Sequence, residues 1–244
     1  MSSTQRTVVI TGASSGIGLA LASAYLKRGY NVVGNARSEE RLEVAARTLG
    51  QPENFVTVAG DIGLPDTSER IFEEAIRRFG RVDILINNAG IFIAKPIVSY
   101  TADDFDKLVS TNLKGFFFPT QNAVAHMVKN GSGHIVNITA AIGIQPNVKV
   151  PAVLPVLVKG GLNQATKSLA IELADHNIRV NAVAPGVIDT PLQKPERHPF
   201  LATLNPLGRV GNVNEIVQAV LYLTDSDFVT GTILTVDGGA AAGR

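Results

Sequence analysis

The sequence predicts one doubly wound α/β domain, a seven-stranded parallel sheet with helices on both faces. Three observations carry this expectation. The 244 residues are 45% hydrophobic and 18% charged, enough apolar material for one ordinary core. Short β-branched runs alternate with amphipathic segments along the whole chain, the pattern of parallel strands joined by helical crossovers. A glycine-rich turn follows the first run and opens the first amphipathic segment.

Taken in order, the expected strands are Val8-Val9-Ile10, Val32-Val33, Phe55 to Val58, Ile84-Leu85-Ile86, Ile135 to Ile138, Val180 to Val183 and Ile233 to Val236. Helical patterns lie between them, near 17–28, 39–49, 66–79, 103–129, 152–174 and 213–224. Right-handed crossovers place these helices on both faces of the sheet. No long Pro/Gly/Ser linker and no internal repeat divides the chain, so residues 1–244 read as a single domain.

Charge and composition remove several function classes. With 22 basic against 21 acidic side chains there is no broad basic surface for nucleic acid or anionic lipid, and Arg77-Arg78 reads as a solvated helix face. The absence of cysteine excludes disulfides, thiolate catalysis and Cys-ligated metals. The four histidines, His126, His134, His176 and His198, show no ligand spacing, so no metal is expected. Met1 to Arg6 are polar and lack a secretory layout, and no apolar stretch approaches the roughly 20 residues of a membrane span. The expectation is a cytoplasmic enzyme or binding protein for a small molecule.

Thr11-Gly12-Ala13-Ser14-Ser15-Gly16-Ile17-Gly18 stands directly after the first strand. Glycines there let the backbone turn tightly and approach a pyrophosphate, whose charge the following helix N-terminus favours. The expected cradle is Gly12, Ser14, Ser15, Gly16, Ile17 and Gly18. The second strand ends in Asn35-Ala36-Arg37-Ser38, with no carboxylate for a ribose before Glu39. A guanidinium suits a phosphate, so Arg37, helped by neutral bonds from Ser38 and Asn35, points to NADP(H); the alternative is a solvated arginine at a strand end.

Further motifs fit the same cleft: Asp61-Ile62 after the third strand, Asn87-Asn88-Ala89-Gly90 after the fourth, Asn112 in Thr111-Asn112-Leu113, Pro185-Gly186 with Thr190, and Val236-Asp237-Gly238-Gly239. Together with Thr11 to Gly18, they make the chain resemble the short-chain dehydrogenase/reductase family over essentially its whole length. The resemblance implies a Rossmann-type sheet, NADP(H) across its carboxyl edge, and a homotetramer (or homodimer) built partly from the helices near 103–129 and 152–174. It further implies that Asp61 and Ile62 lie at the adenine edge and that Asn88, Ala89 and Gly90 border the adenosine ribose. Pro185, Gly186, Ile188 and Thr190 would hold the nicotinamide. Structural readings stay open for Asn88 as a loop cap and Thr190 as a helix start.

Family catalysis uses an Asn, a Ser, a Tyr and a Lys. Asn112 and Lys159 match, Asn112 with a helix-kink role equally open. The serine position, three residues before Gly143, holds Ala140, and the tyrosine position, four before Lys159, holds Pro155. Thr139 is one residue away, but one step along a strand turns a side chain to the other face. No alignment slip supplies a phenol, because Tyr25, Tyr30, Tyr100 and Tyr222 all fall outside the expected pocket. Proline in the first turn of a helix is tolerated, since the missing N–H would lack an intrahelical partner there. Without tyrosine, Lys159 is read as serving the ribose.

Eight apolar residues, Ile142, Ile144, Val150, Pro151, Val153, Leu154, Val156 and Val158, are expected around the reaction centre. Asn147, Lys149, Gln193, Lys194, Glu196, Arg197 and His198 are the polar candidates at its mouth. His198 is either a proton donor or a solvated lid residue. A substrate lid is expected near residues 190–207. The substrate pocket reads as Ala140, Ile142, Asn147, Pro155, Gln193 and His198. The favoured function is an NADPH-dependent reductase of C=N bonds or similarly activated electrophiles; the alternatives are an ordinary carbonyl reductase with a substitute proton donor, a non-catalytic NADP(H)-binding sensor or scaffold, and an isomerase or lyase that the bound cofactor merely supports.

Overall fold

Strand β1 (Thr7–Thr11) is buried along all five residues, as a strand covered by helices on both faces must be. In the computed structural model, which describes residues 5–243, it is the third strand across a seven-stranded sheet, beside the central one. The polar start of the chain, Met1 to Thr4, and Arg244 lie outside the described residues. The other strands are β2 (Asn31–Ala36), β3 (Phe55–Ala59), β4 (Ile84–Asn87), β5 (Gly133–Ile138), β6 (Ile178–Pro185) and β7 (Ile233–Val236). Their spatial order is β3-β2-β1-β4-β5-β6-β7, and every pairing is parallel. Val8 pairs with Val32 on one side and Ile84 on the other. The chain reverses its direction of winding between β1 and β4, which opens a crevice at the carboxyl ends of those strands.

Helices α1 (Gly16–Lys27) and α8 (Val213–Asp225) cover one face, packing Leu21, Tyr25, Ile216, Val220 and Leu223 onto the sheet. Helices α3 (Pro65–Phe79), α5 (Gly115–Asn130) and α6 (Val153–Glu172) cover the other through Ile71, Phe72, Ala123, Met127 and Ala170. Helix α2 (Glu39–Thr48) lies against β2 and β3. No helix among the described residues is long and apolar enough to cross a membrane. No cluster of three His, Cys, Asp or Glu side chains able to hold a metal occurs among them either.

The long helix expected over 103–129 is three pieces. Helix α4 (Ala102–Leu108) runs into a π-helical stretch at Val109–Lys114 before α5 begins. That stretch holds Asn112, whose amide bonds the backbone of Ile91 outside the helix, and Pro119 removes a backbone donor one turn into α5. The expected helix 152–174 ends at Glu172, followed by a 3₁₀ turn at Ala174–His176. The segment after Thr190 carries a short helix α7 (His198–Ala202) that hydrophobic periodicity did not announce.

Candidate active site

At the carboxyl ends of the strands, a cleft of about 810 Å³ runs from the β2–α2 turn to the segment after β6. Its floor is the turn Thr11 to Gly16. Gly12 and Gly16 have φ of +70° and +56°, values that any side chain would strain. A Cβ on Gly18 would stand 2.2 Å from the carbonyl oxygen of Gly12, so Gly18 does not line the cleft but lets α1 pack against the turn. Ser15 caps α1 without a side-chain hydrogen bond, which leaves the first amides of the helix free for an anion. Gly12, Ser14, Ser15, Gly16 and Ile17 line this part. Asn88 locks it from the side, its Nδ2 donating to Thr11 O at 2.9 Å and to Gly12 O at 3.3 Å.

At the β2 end, Arg37 and Ser38 line the cleft. The Asn35 amide also faces it, but its Nδ2 donates to Val58 O at 2.9 Å and Gly60 O at 3.2 Å. It ties β2 to β3 and is not a free donor for a ligand. Ser38 Oγ accepts from Arg41 N as the cap of α2, keeping its own proton to donate. Arg41 was missed in the sequence, where it looks like one charge among the acids and bases of an exposed helix. It lines the cleft, and its Nη2 donates to Ser15 Oγ at 3.1 Å. Asp61 and Ile62 close the side, with Asp61 Oδ1 accepting from Gly63 N.

The far half is formed by Asn88, Ala89, Gly90, Ala140, Lys159, Pro185, Gly186, Ile188 and Thr190. Lys159 projects from α6 and donates from Nζ to Ile138 O at 2.9 Å; burial lowers its pKa to about 8. Ala140 stands two residues past the end of β5, and Gly143 N donates back to its carbonyl. Thr139 faces the cleft in part, but both its amide and its hydroxyl donate to Val183 O. Asn112 is not brought to the cleft: Oδ1 accepts from Ile91 N at 2.8 Å and Nδ2 donates to Ile91 O at 3.0 Å. Its observed contacts are structural. Pro155 sits buried at the third position of α6 and does not line the cleft.

Of the eight apolar residues expected around the reaction centre, Ile142 and Val150 line it. Ile144 and Val153 face solvent, because the turn before α6 and the helical rotation send neighbouring side chains in different directions. The apolar wall is completed instead by Ile91, Phe92, Leu192, Phe200, Leu201 and Leu204. Among the expected polar residues Asn147, Gln193 and Arg197 line the mouth. His198 does not; its Nε2 lies 3.6 Å from Asp189 Oδ1. Lys149 is spent on Thr203 Oγ1. None of the four tyrosines lines the cleft, and Tyr25 is buried beneath the sheet with its hydroxyl 2.6 Å from Thr224 Oγ1.

The closing turn of the chain reaches the same place. Asp237 and Ala240 line the cleft, the Asp237 carboxylate accepts from the amides of Gly239 and Ala241, and Gly238 O accepts from Leu207 N at 3.2 Å.

The family model described as enoyl-(acyl carrier protein) reductase matches residues 12–241. The chain is 37% identical to the 3-oxoacyl-[acyl-carrier-protein] reductase FabG of Thermotoga maritima over 238 residues, 95% of this chain and 96% of the relative. Among solved structures it resembles a short-chain type dehydrogenase/reductase from Mycobacterium marinum, with a TM-score of 0.91 at 32% identity over 96% of this chain and 95% of that one. It also resembles ElxO with NADP bound, with a TM-score of 0.91 at 30% identity over 98% of this chain and 99% of that one. With a family model matched over residues 12–241 and relatives above 30% identity and of the same fold across nearly the full length, the chain belongs to the short-chain dehydrogenase/reductase family of oxidoreductases.

Proposed function

We propose that this protein is an NADPH-dependent reductase whose preferred electrophile is a C=N bond, as imine or iminium ion. The carrying observation is the lining of the far half of the cleft. It holds no tyrosine and no histidine, Thr139 is bound to Val183, and Lys159 is its buried cationic group.

The residues present fit the dinucleotide. Gly12, Ser14, Ser15, Gly16 and Ile17 would cradle the pyrophosphate, and Gly18 keeps the helix close enough to present its amides. Arg37, Arg41 and Ser38 would hold a 2′-phosphate, which supports NADPH over NADH. Asp61 and Ile62 would border the adenine, Asn88, Ala89 and Gly90 the adenosine ribose, Lys159 the nicotinamide ribose, and Pro185, Gly186, Ile188 and Thr190 the nicotinamide. The reduced dinucleotide supplies hydride when bound. ElxO, a structural relative, is described with NADP bound.

The choice of electrophile follows from charge. A ketone that accepts hydride becomes an alkoxide, and losing a positioned acid or oxyanion donor costs about 10²–10⁴-fold in rate. An iminium ion becomes a neutral amine and builds no anion. Here the apolar wall would limit water around the bound electrophile, Asn147 and Gln193 would orient a polar substituent, and the segment 190–207, carrying Leu192 and Phe200, would act as a substrate lid. Ala140 and Pro155, in place of the serine and tyrosine of the family, are the basis of this atypical site.

Carbonyl reduction is the second reading, favoured by the 3-oxoacyl reductase among the relatives. NADPH consumption with cyclic imines, N-alkyl iminium ions, ketones and aldehydes separates the two. Turnover confined to C=N supports the proposal; ketone turnover at equal or greater rates replaces it with the second reading. NADPH binding without any turnover makes the protein a sensor or scaffold.

The same proposal includes a homotetramer or homodimer. A shallow apolar hollow lies between α5 and α6, lined by Leu113, Phe116, Phe117, Gly161, Leu162 and Ala165, with Phe117 56% exposed in the single chain. Sedimentation of the purified protein tests it.

A further inference from the structure

We infer that Lys159 is the proton donor of this site, converting a neutral imine held in the cleft into the iminium ion that accepts hydride. The inference rests on the C=N reading above and supplies the proton that a neutral imine nitrogen needs before hydride arrives, whereas a ketone would still lack the hydroxyl donors that hold its developing oxyanion.

The geometry is that of an anchored, buried ammonium on the lining of the cleft. Lys159 Nζ donates one N–H to Ile138 O at 2.9 Å, at the very end of β5, and an ammonium carries three. Ile138, Thr139, Ala140 and Lys159 all line the cleft; of the two remaining hydrogens, one would serve the nicotinamide ribose and the other is left for a substrate nitrogen. Across from Nζ stands Gly90, which has no side chain to cover the nitrogen; a Cβ there would lie 3.5 Å from Nζ. The anchor on Ile138 fixes where the donor stands, which is what general acid catalysis requires.

Burial is the cause of its lowered pKa, about 8, and no neighbouring charge offsets it. The carboxylates of the cleft are engaged elsewhere: Asp61 with Gly63 N, and Asp237 with the amides of Gly239 and Ala241. Arg37, Arg41 and Arg197 lie on the exposed rim. Lys159 is thus protonated at neutral pH yet acidic enough to protonate an alkyl imine nitrogen, which is of comparable basicity. The Nζ–H bond breaks and a bond to the imine nitrogen forms, moving the positive charge to the substrate. The substrate carbon takes hydride, and its π pair becomes the nitrogen lone pair. The product is a neutral amine, and the neutral Lys159 regains its proton from water at the open mouth.

The test pairs two substrates, a cyclic imine and its N-methyl iminium salt, which has no nitrogen proton to gain. Each is assayed with the wild type and Lys159→Met, with NADPH affinity measured separately by fluorescence titration. The inference expects kcat/KM for the imine to fall by about 100-fold or more in Lys159→Met, and that for the iminium to fall only in step with the loss of NADPH affinity. In the wild type, kcat for the imine declines as pH rises through about 8 while kcat for the iminium stays flat. An equal loss for both substrates, or a flat profile for the imine, makes Lys159 a dinucleotide-holding group and overturns the inference with the C=N reading intact. Binding of NADPH with no turnover of either substrate by the wild type overturns both.

Discussion

The Arg41 guanidinium donates to Ser15 Oγ at 3.1 Å, so the first turn of α2 reaches back to the residue that caps α1. Two arginines, 37 and 41, therefore flank one end of the cleft beside the uncapped amides of a helix. That end is built for negative charge. Replacing either arginine by alanine is expected to weaken NADPH binding by about tenfold to a hundredfold, the worth of a charge-assisted phosphate contact, and NADH binding by less than about threefold. Fluorescence titration with the two cofactors measures both. Equal weakening would mean that neither arginine reads the 2′-phosphate.

Asn112 spends both ends of its amide on the backbone of Ile91. Asn112→Ala should cost about 1–3 kcal/mol of stability, because it strands a buried N–H and a carbonyl beside the π-helical stretch. Urea denaturation gives the figure. Unchanged stability with a collapsed kcat would return Asn112 to the chemistry.

The double substitution Ala140→Ser with Pro155→Tyr restores the two hydroxyl-bearing positions of the family, the second one helical turn before Lys159. Ketone reduction should rise by at least about tenfold, with C=N reduction within about threefold of the wild type. Steady-state kinetics on one ketone and one iminium ion decide it. A folded double variant that gains no ketone activity would show that the missing hydroxyls are not what limits carbonyl reduction here.

His134 is buried between β5 and its neighbour β6, where Asn181 and Arg179 face its Nε2 at 3.2 and 3.3 Å. Burial first, and the Arg179 charge second, pull its pKa down from 6.5 to about 3. Between those values the unfolded chain binds a proton that the folded one refuses, so this group's contribution is whole above pH 6.5 and is lost as pH falls. His134→Gln should flatten the stability-pH curve in that window by up to about 1.4 kcal/mol per pH unit. Denaturant titrations at several pH values test it, and an unchanged slope would place the acid sensitivity elsewhere.

Much of this was legible in the residues. β1 and β4 read as unbroken apolar runs because both their faces are covered, and the glycine turn declared itself by its place after β1. The π-helical stretch at 109–114 left no trace, since hydrophobic spacing continues through it. Pro155, His198, Ile144 and the apolar residues from Pro151 to Val158 are absent from the cleft lining for one reason: proximity in sequence does not say where a side chain points. One residue apart on α6, Leu157 is 64% exposed and Val158 is buried, a consequence of helical rotation alone. Arg41 failed in the opposite way, its partner Ser15 standing 26 residues earlier.

The turn made by Asp237, Gly238 and Gly239 sits beneath the segment that follows Thr190. A Cβ on Gly238 would stand 2.5 Å from Asn205 Oδ1, and Leu207 N hangs on the Gly238 carbonyl. The tail thus braces the stretch around Asn205 and Leu207, whose neighbours Leu201 and Leu204 form part of the apolar wall. A change made near that end therefore bears on the shape of the cleft as well as on the terminus.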